Sequence, residues 1–146
     1  MNSDNPLNRF LSAQQPLYSQ VLKELRNAKK TTHWMWFFFP QIEGLGNSPT
    51  AKYYSIKSIE EAKEYIAHPA LGKRLLECTN ILLQIENKTA DEIFGSPDNL
   101  KLRSCMTLFN FVVPGQKVFA DALQKYFAGE EDEKTIAILK QMNNAG

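Results

Sequence analysis

The stretch His33-Trp34-Met35-Trp36-Phe37-Phe38-Phe39-Pro40-Gln41 constrains this chain more than any other. It holds both tryptophans and three of the nine phenylalanines. One aromatic side chain buries ~150–250 Å². Five of them within positions 34–39 cannot all stay in water in a monomeric soluble domain. The run is too short to span a bilayer, which takes ~20 apolar residues. It shows neither strict alternation nor a long 3.6-residue period. One or two helical turns, α or 3₁₀, are expected, stopped at Pro40, which pushes Phe39 out of the α region. A buried strand is the alternative, because short apolar runs look alike either way. Gly44-Leu45-Gly46-Asn47-Ser48-Pro49 then reads as a loop. Two readings of the block follow. It is a core plug with polar ends, or it is a pocket wall in which Trp34, Trp36, His33 and Gln41 stand beside a glycine loop.

The rest of the chain supports a mainly α fold: one compact domain over 1–146, with about eight or nine helices, several of them short. At 146 residues the chain suits one domain with a real core. A helix begins at Asn5-Pro6, an N-cap with proline at N1, and buries Leu7, Phe10 and Leu11, with Arg9 on another face. Gln14-Gln15-Pro16 breaks it. The next helix has Leu17, Val21, Leu22 and Leu25 inward and Lys23, Glu24 and Arg26 as a solvated face. Ser48-Pro49 opens a turn through Tyr53-Tyr54. Ser58-Ile59-Glu60-Glu61 and Thr89-Ala90-Asp91-Glu92 are capping boxes. Between them, a long helix from Pro69 to about Glu86 carries Leu71, Leu75, Cys78, Leu82 and Ile85. Another starts at Ser96-Pro97-Asp98, and two more carry Val118 to Phe127 and Ile136 to Leu139. No linker, repeat or low-complexity tract interrupts the pattern.

Net charge is +1, from 17 basic and 16 acidic residues. That balance argues against a dedicated nucleic-acid binder, which usually carries a basic face. No segment is long enough to cross a membrane. Met1 to Pro6 lacks the parts of a signal peptide, so a cytoplasmic location is expected. Cys78 and Cys105 sit on apolar stripes and read as buried, inert thiols. No Cys or His spacing supports a metal site, and no cofactor is expected. Gly44-Leu45-Gly46 lacks the third glycine and the Gly-Lys-Ser of phosphate loops.

One polar constellation stands out. Lys101 and Ser104, and Arg103 and Thr107, share helix faces, with Asp98 one turn before Lys101. The bland reading is an Asp98–Lys101 surface pair, which contributes only tenths of a kcal/mol. The sharper reading is an anion site in which Arg103 supplies a planar fork, Lys101 a point charge, and two hydroxyls the remaining bonds. His33 is the better general acid–base candidate of the two histidines, since His68 before Pro69 reads as a cap at a helix junction. Glu60 or Glu61 is an accessory carboxylate.

The chain resembles a family of small bacterial proteins of unknown function, sometimes labelled calpastatin-like. The resemblance rests on Arg9-Phe10 with Ala13-Gln14, on His33 to Phe37 with Phe39-Pro40-Gln41, and on Gly44-Leu45-Gly46 with Ser48. It continues through Ser58, Glu61-Ala62, His68-Pro69, Leu71-Gly72, Arg74-Leu75, Phe94-Gly95 and Pro97-Asp98. It ends on Lys101-Leu102-Arg103-Ser104 and Met106 to Phe109. Asn99 and Cys105 depart from the Asp and Ser of that pattern, and Cys105 weakens any role for a hydroxyl there. The resemblance implies a mainly helical fold and no established activity. Ser58-Ile59-Glu60-Glu61 and the later Leu-Arg-rich helix are also similar to helical glycosidase-like proteins that act on ADP-ribose-linked metabolites. The expected function is binding, with processing as its extension, of a phosphate-bearing nucleotide-like or ADP-ribose-like molecule. Trp34, Trp36 and Gln41 would face Lys101, Arg103, Ser104 and Thr107 across one pocket, with His33 as the proton-transfer group of any catalysis and Glu61 (or Glu60) as its accessory carboxylate. The rival expectation is a protein-interaction module with an aromatic hot spot.

Overall fold

The computed structural model describes residues 5–145, which form ten helices. They are α1 (Asn8–Gln14), α2 (Tyr18–Arg26), α3 (Met35–Phe38), α4 (Pro49–Tyr53) and α5 (Ile59–Ala67), then α6 (Leu71–Gln84), α7 (Ala90–Phe94), α8 (Asp98–Val112), α9 (Lys117–Phe127) and α10 (Glu133–Ala145). Ser104 to Phe109 are buried without a break, so the middle of α8 has no solvent face. A helix buried all round must be surrounded, and α5, α7, α9 and α10 pack on it. Helix α6 completes this layer against α5 and α9, and brings α2 to its outer side. Its inward residues Leu71, Leu75, Cys78 and Leu82 recur at the spacing the sequence shows. Both cysteines are free and buried. Burial pushes the Cys78 thiol up to about 12 and that of Cys105 well above the ordinary range, as inert core thiols require.

The aromatic block is a single helical turn, α3. It ends at Phe39, whose φ of −128° and ψ of 70° lie outside the helical region, as the following proline demands. Trp34, Met35, Phe38 and Phe39 are closed in the core, while Trp36 and Phe37 stay partly exposed. Beyond Pro40 the chain makes an isolated parallel bridge between Ile42 and Ile56. Turn chemistry also follows the sequence. Ser58 caps α5 by accepting from Glu61 N, and Thr89 and Glu92 close a full capping box on α7. Asn5, expected to cap α1, instead accepts from Leu7 N in a turn ahead of it, and α1 starts at Asn8 with Leu7 as its N-cap. His68 caps the start of α6, its Nδ1 accepting from the backbone of Ala70 and Leu71.

One expected surface residue is internal. Glu24 faces inward and is 3% exposed, although the stripe of α2 predicts a solvated face there. Its carboxylate accepts from Trp34 Nε1 (2.9 Å), Thr31 N (2.8 Å), Thr32 N (3.1 Å), Thr32 Oγ1 (2.6 Å) and Gln20 Nε2 (2.8 Å). Among the described residues no basic side chain forms an ion pair with it. Burial alone would raise its pKa. The hydrogen bonds from Thr32, Gln20, Thr31 and Trp34 outweigh that and hold it at about 2.

This folded value lies below the ordinary 4.5, so the stabilisation is present in full above pH 4.5 and disappears as pH falls through about 2. The shift corresponds to roughly 3 kcal/mol. We predict that Glu24→Gln lowers unfolding stability at pH 7 by about that amount. The deficit should shrink towards pH 2 as the wild-type carboxylate itself protonates. Urea titrations of both proteins across that range measure it; equal stability at pH 7 refutes the assignment.

Candidate functional site

The structure splits the expected anion site. Lys101 and Arg103 are two positions apart on α8, roughly 200° around the helix, and they point to different surroundings. Lys101 Nζ lies 4.2 Å from the Trp36 ring centroid and 3.2 Å from Asp98 Oδ1. Asp98 Oδ2 also binds Lys30 Nζ at 2.7 Å, and that ammonium sits over Trp34 at 5.3 Å. The start of α8 and the aromatic block therefore do meet, through two cation–π contacts and a shared carboxylate. Arg103 instead faces a cavity of about 660 Å³ lined by Glu130 to Lys134 and Ile136. Its nearest carboxylates are Asp132 at 3.9 Å and Glu130 at 4.0 Å. Four carboxylates against Arg103 and Lys134 make this a poor seat for phosphate.

The other expected residues also separate. Trp34 is 1% exposed and its indole N–H is taken by Glu24. Ser104 and Thr107 donate back to the carbonyls of Leu100 and Arg103 within their own helix, and Thr107 also accepts from Asp132 N. His33 is exposed on the turn before α3. Trp36 and Gln41 stay together, lining a crevice under Gly44 and Gly46 that has room for about one water. Gly46 is needed there, because a Cβ at that position would sit 2.5 Å from Ala51 Cβ of α4.

From Trp36 a strip of partly exposed rings runs outward: Trp36 to Phe37 (6.4 Å), Phe37 to Tyr54 (4.7 Å), and Tyr54 edge-on to Tyr53 (4.8 Å, 90°). Tyr54 is shared by the crevice and by a cleft of about 540 Å³ between α1 and α4. Asn5, Arg9, Ser12, Tyr53 and Lys57 are among the residues that line this cleft. Its volume falls within the ~300–1,000 Å³ typical of small-molecule sites, and it combines an aromatic wall with polar groups. This cleft is the candidate site.

Its floor is set by Arg9. The guanidinium has five N–H donors, and the protein takes all of them. Nε donates to Tyr53 O (2.8 Å), Nη1 to Pro6 O and Glu61 Oε2 (3.3 Å), and Nη2 to Ser55 O (2.7 Å) and Glu61 Oε1 (2.9 Å). The Arg9 and Glu61 side chains are 8% and 10% exposed. Glu61 also accepts from Lys57 N, so its carboxylate is pulled toward Arg9 and does not close the expected box with Ser58. A carboxylate held this way is a structural partner rather than an open base. Sequence reasoning placed Arg9 on a different face from Leu7, Phe10 and Leu11 and gave Tyr53 and Tyr54 no functional role. The signals present were the Arg9-Phe10 pair within the resemblance and the adjacent tyrosines; the partner of Arg9, 52 positions on, has no local signature.

The chain belongs to a family of proteins of unknown function, DUF1810, whose model matches residues 4–139. It is similar to a solved structure, the conserved hypothetical protein Rv1873 from Mycobacterium tuberculosis. The two are 49% identical over 92% of this chain and 96% of that one, with a TM-score of 0.91. No curated protein matches the chain. Among the described residues no helix is long and apolar enough to cross a membrane, and no group of His, Cys, Asp and Glu is placed to hold a metal.

We predict that Arg9→Ala destabilises the fold by ~3–5 kcal/mol, because Glu61 is left buried without its partner. Arg9→Ala with Glu61→Ala should cost clearly less than the sum of the single changes. Chemical denaturation of the three variants gives the coupling; additive losses remove the clip.

Proposed function

We propose that the protein binds a small ring-bearing metabolite, nucleoside-like or nucleotide-like, in the cleft between α1 and α4. One observation carries this reading. Tyr53 is 58% exposed at the wall of a cleft large enough for such a ligand, and Tyr54 stands edge-on behind it. An exposed ring braced by a second ring is a stacking platform, and a flat heteroaromatic ligand matches it. The Arg9 clip supports the same reading. It fixes the backbone at Pro6, Tyr53 and Ser55 before any ligand arrives, so little ordering is left for binding to impose. The broader expectation of a phosphate-bearing, nucleotide-like or ADP-ribose-like ligand belongs to this class, with its seat moved from Arg103 to the tyrosine wall.

A protein-interaction module is the second reading, favoured by the same exposure. Tyr53 and Leu100 are the large apolar side chains left most open to solvent among the described residues, and aromatic anchors dominate interfaces.

A calorimetric and thermal-shift panel of nucleosides, nucleotides and ADP-ribose tests the proposal. Members of the panel should raise the wild-type melting temperature. Tyr53→Ala should weaken their binding by about ten- to a hundred-fold, from the ~1–3 kcal/mol typical of ring stacking. Arg103→Ala should leave binding unchanged, since it faces the acidic cavity. A flat panel sinks the small-molecule reading. A partner protein that is captured by the wild type and lost with Tyr53→Ala, alongside that flat panel, establishes the second.

A further inference from the structure

The cleft contains two cations, and neither has a donor to offer. Arg9 places all five N–H groups on Tyr53 O, Pro6 O, Ser55 O and Glu61. Lys57 has three donors, and its Nζ meets three acceptors: Glu43 Oε1 (3.3 Å), Ser55 Oγ (3.0 Å) and Lys52 O. The charges are matched as well, Arg9 by Glu61 and Lys57 by Glu43. What the cleft leaves unengaged is uncharged. The hydroxyls of Ser12, Tyr53 and Tyr54 line it and make no hydrogen bond among the described residues. Each can donate once and accept.

From this inventory we infer that the cleft is built for a neutral, hydroxyl-bearing heteroaromatic molecule, a nucleoside rather than its phosphate. The inference rests on the small-molecule reading above and narrows it. The ring lies on Tyr53, with Tyr54 edge-on behind it, and the ligand's own hydroxyls and ring nitrogens exchange hydrogen bonds with Ser12 and the two phenols. A phosphate dianion in the same cleft gives up part of its water shell and meets cations whose donors already serve the protein. To bind it, Lys57 has to leave Glu43, Ser55 or Lys52, or Arg9 has to give up bonds to the backbone carbonyls and to Glu61 that hold the wall. Discrimination of this kind comes from unpaired groups, which separate ligands more sharply than added apolar contact does.

Isothermal titration of the full chain with the four common ribonucleosides and their 5′-monophosphates tests this. At least one nucleoside should bind, and its monophosphate should bind about tenfold more weakly or worse. Glu43→Ala supplies an independent readout. It removes an exposed partner whose loss costs the fold little, and it frees one donor of Lys57. It should therefore improve monophosphate binding several-fold, leave the nucleoside unchanged and close most of the gap. Tighter binding of the monophosphate by the wild type overturns the inference, as does a gap that Glu43→Ala leaves untouched, while the small-molecule reading survives both. If neither series binds the wild type, the cleft reading itself fails and the inference falls with it.

Discussion

Burying an indole obliges its single N–H to find an acceptor inside the protein, and much of this structure follows from how that is done. Trp34 gives its N–H to Glu24, a carboxylate with no ion-pair partner among the described residues that is kept charged by five donors. The turn from Thr31 to Trp34 is wound around those two oxygens, and this sets where the aromatic block enters the core. The other end is held similarly. Gln14, fully buried, donates to Phe37 O (2.6 Å) and to the Tyr65 hydroxyl (3.1 Å) and accepts from Arg74 Nη1 (3.1 Å). With both ends tied, Trp34, Phe38 and Phe39 have to point inward, and Trp36 and Phe37 are left as the rim from which the ring strip extends to Tyr53.

The molecule's arginines show how the same side chain serves opposite ends. At Arg9 every donor has a protein acceptor, three of them main-chain carbonyls, and the group acts as a rigid bracket. At Arg103 the carboxylates of Asp132 and Glu130 stand 3.9 and 4.0 Å away, beyond hydrogen-bond reach, and the buried Nε has no hydrogen-bond partner among the described residues. Residue type and local spacing make Arg103 look like the ligand-facing group. Its setting among four carboxylates gives it a counter-ion role, and Lys101, two positions earlier, looks the other way onto Trp36.

The helical frame was legible because it rests on local chemistry. The caps at Ser58, Thr89 and His68, the proline stop after Phe39, and the three- and four-residue spacing of Leu71 to Leu82 all act within a few positions. The aromatic block and α8 were expected to face each other across one pocket; in the structure they touch directly, with Lys101 over Trp36, while Arg103 faces a different cavity from Trp36 and Gln41. What stayed hidden is polar and long-range. Glu24 has the spacing of a solvated residue and is buried because acceptors were needed seven to ten positions on. Arg9 and Glu61 find each other across 52 positions, and Gln14 reads as a helix breaker until Phe37 and Tyr65 surround it. Periodicity reports which face is apolar; it does not report which polar side chain will be recruited to satisfy that face once it is covered.

The Arg9 bracket has one more property. Its contacts to positions 6, 53 and 55 are to carbonyl oxygens, which every amino acid carries. At these three points the bracket grips only the main chain of the cleft wall and is indifferent to the side chain displayed at position 53. The exposed Tyr53 can therefore be exchanged while the wall stays in register, so one architecture is able to carry different appetites.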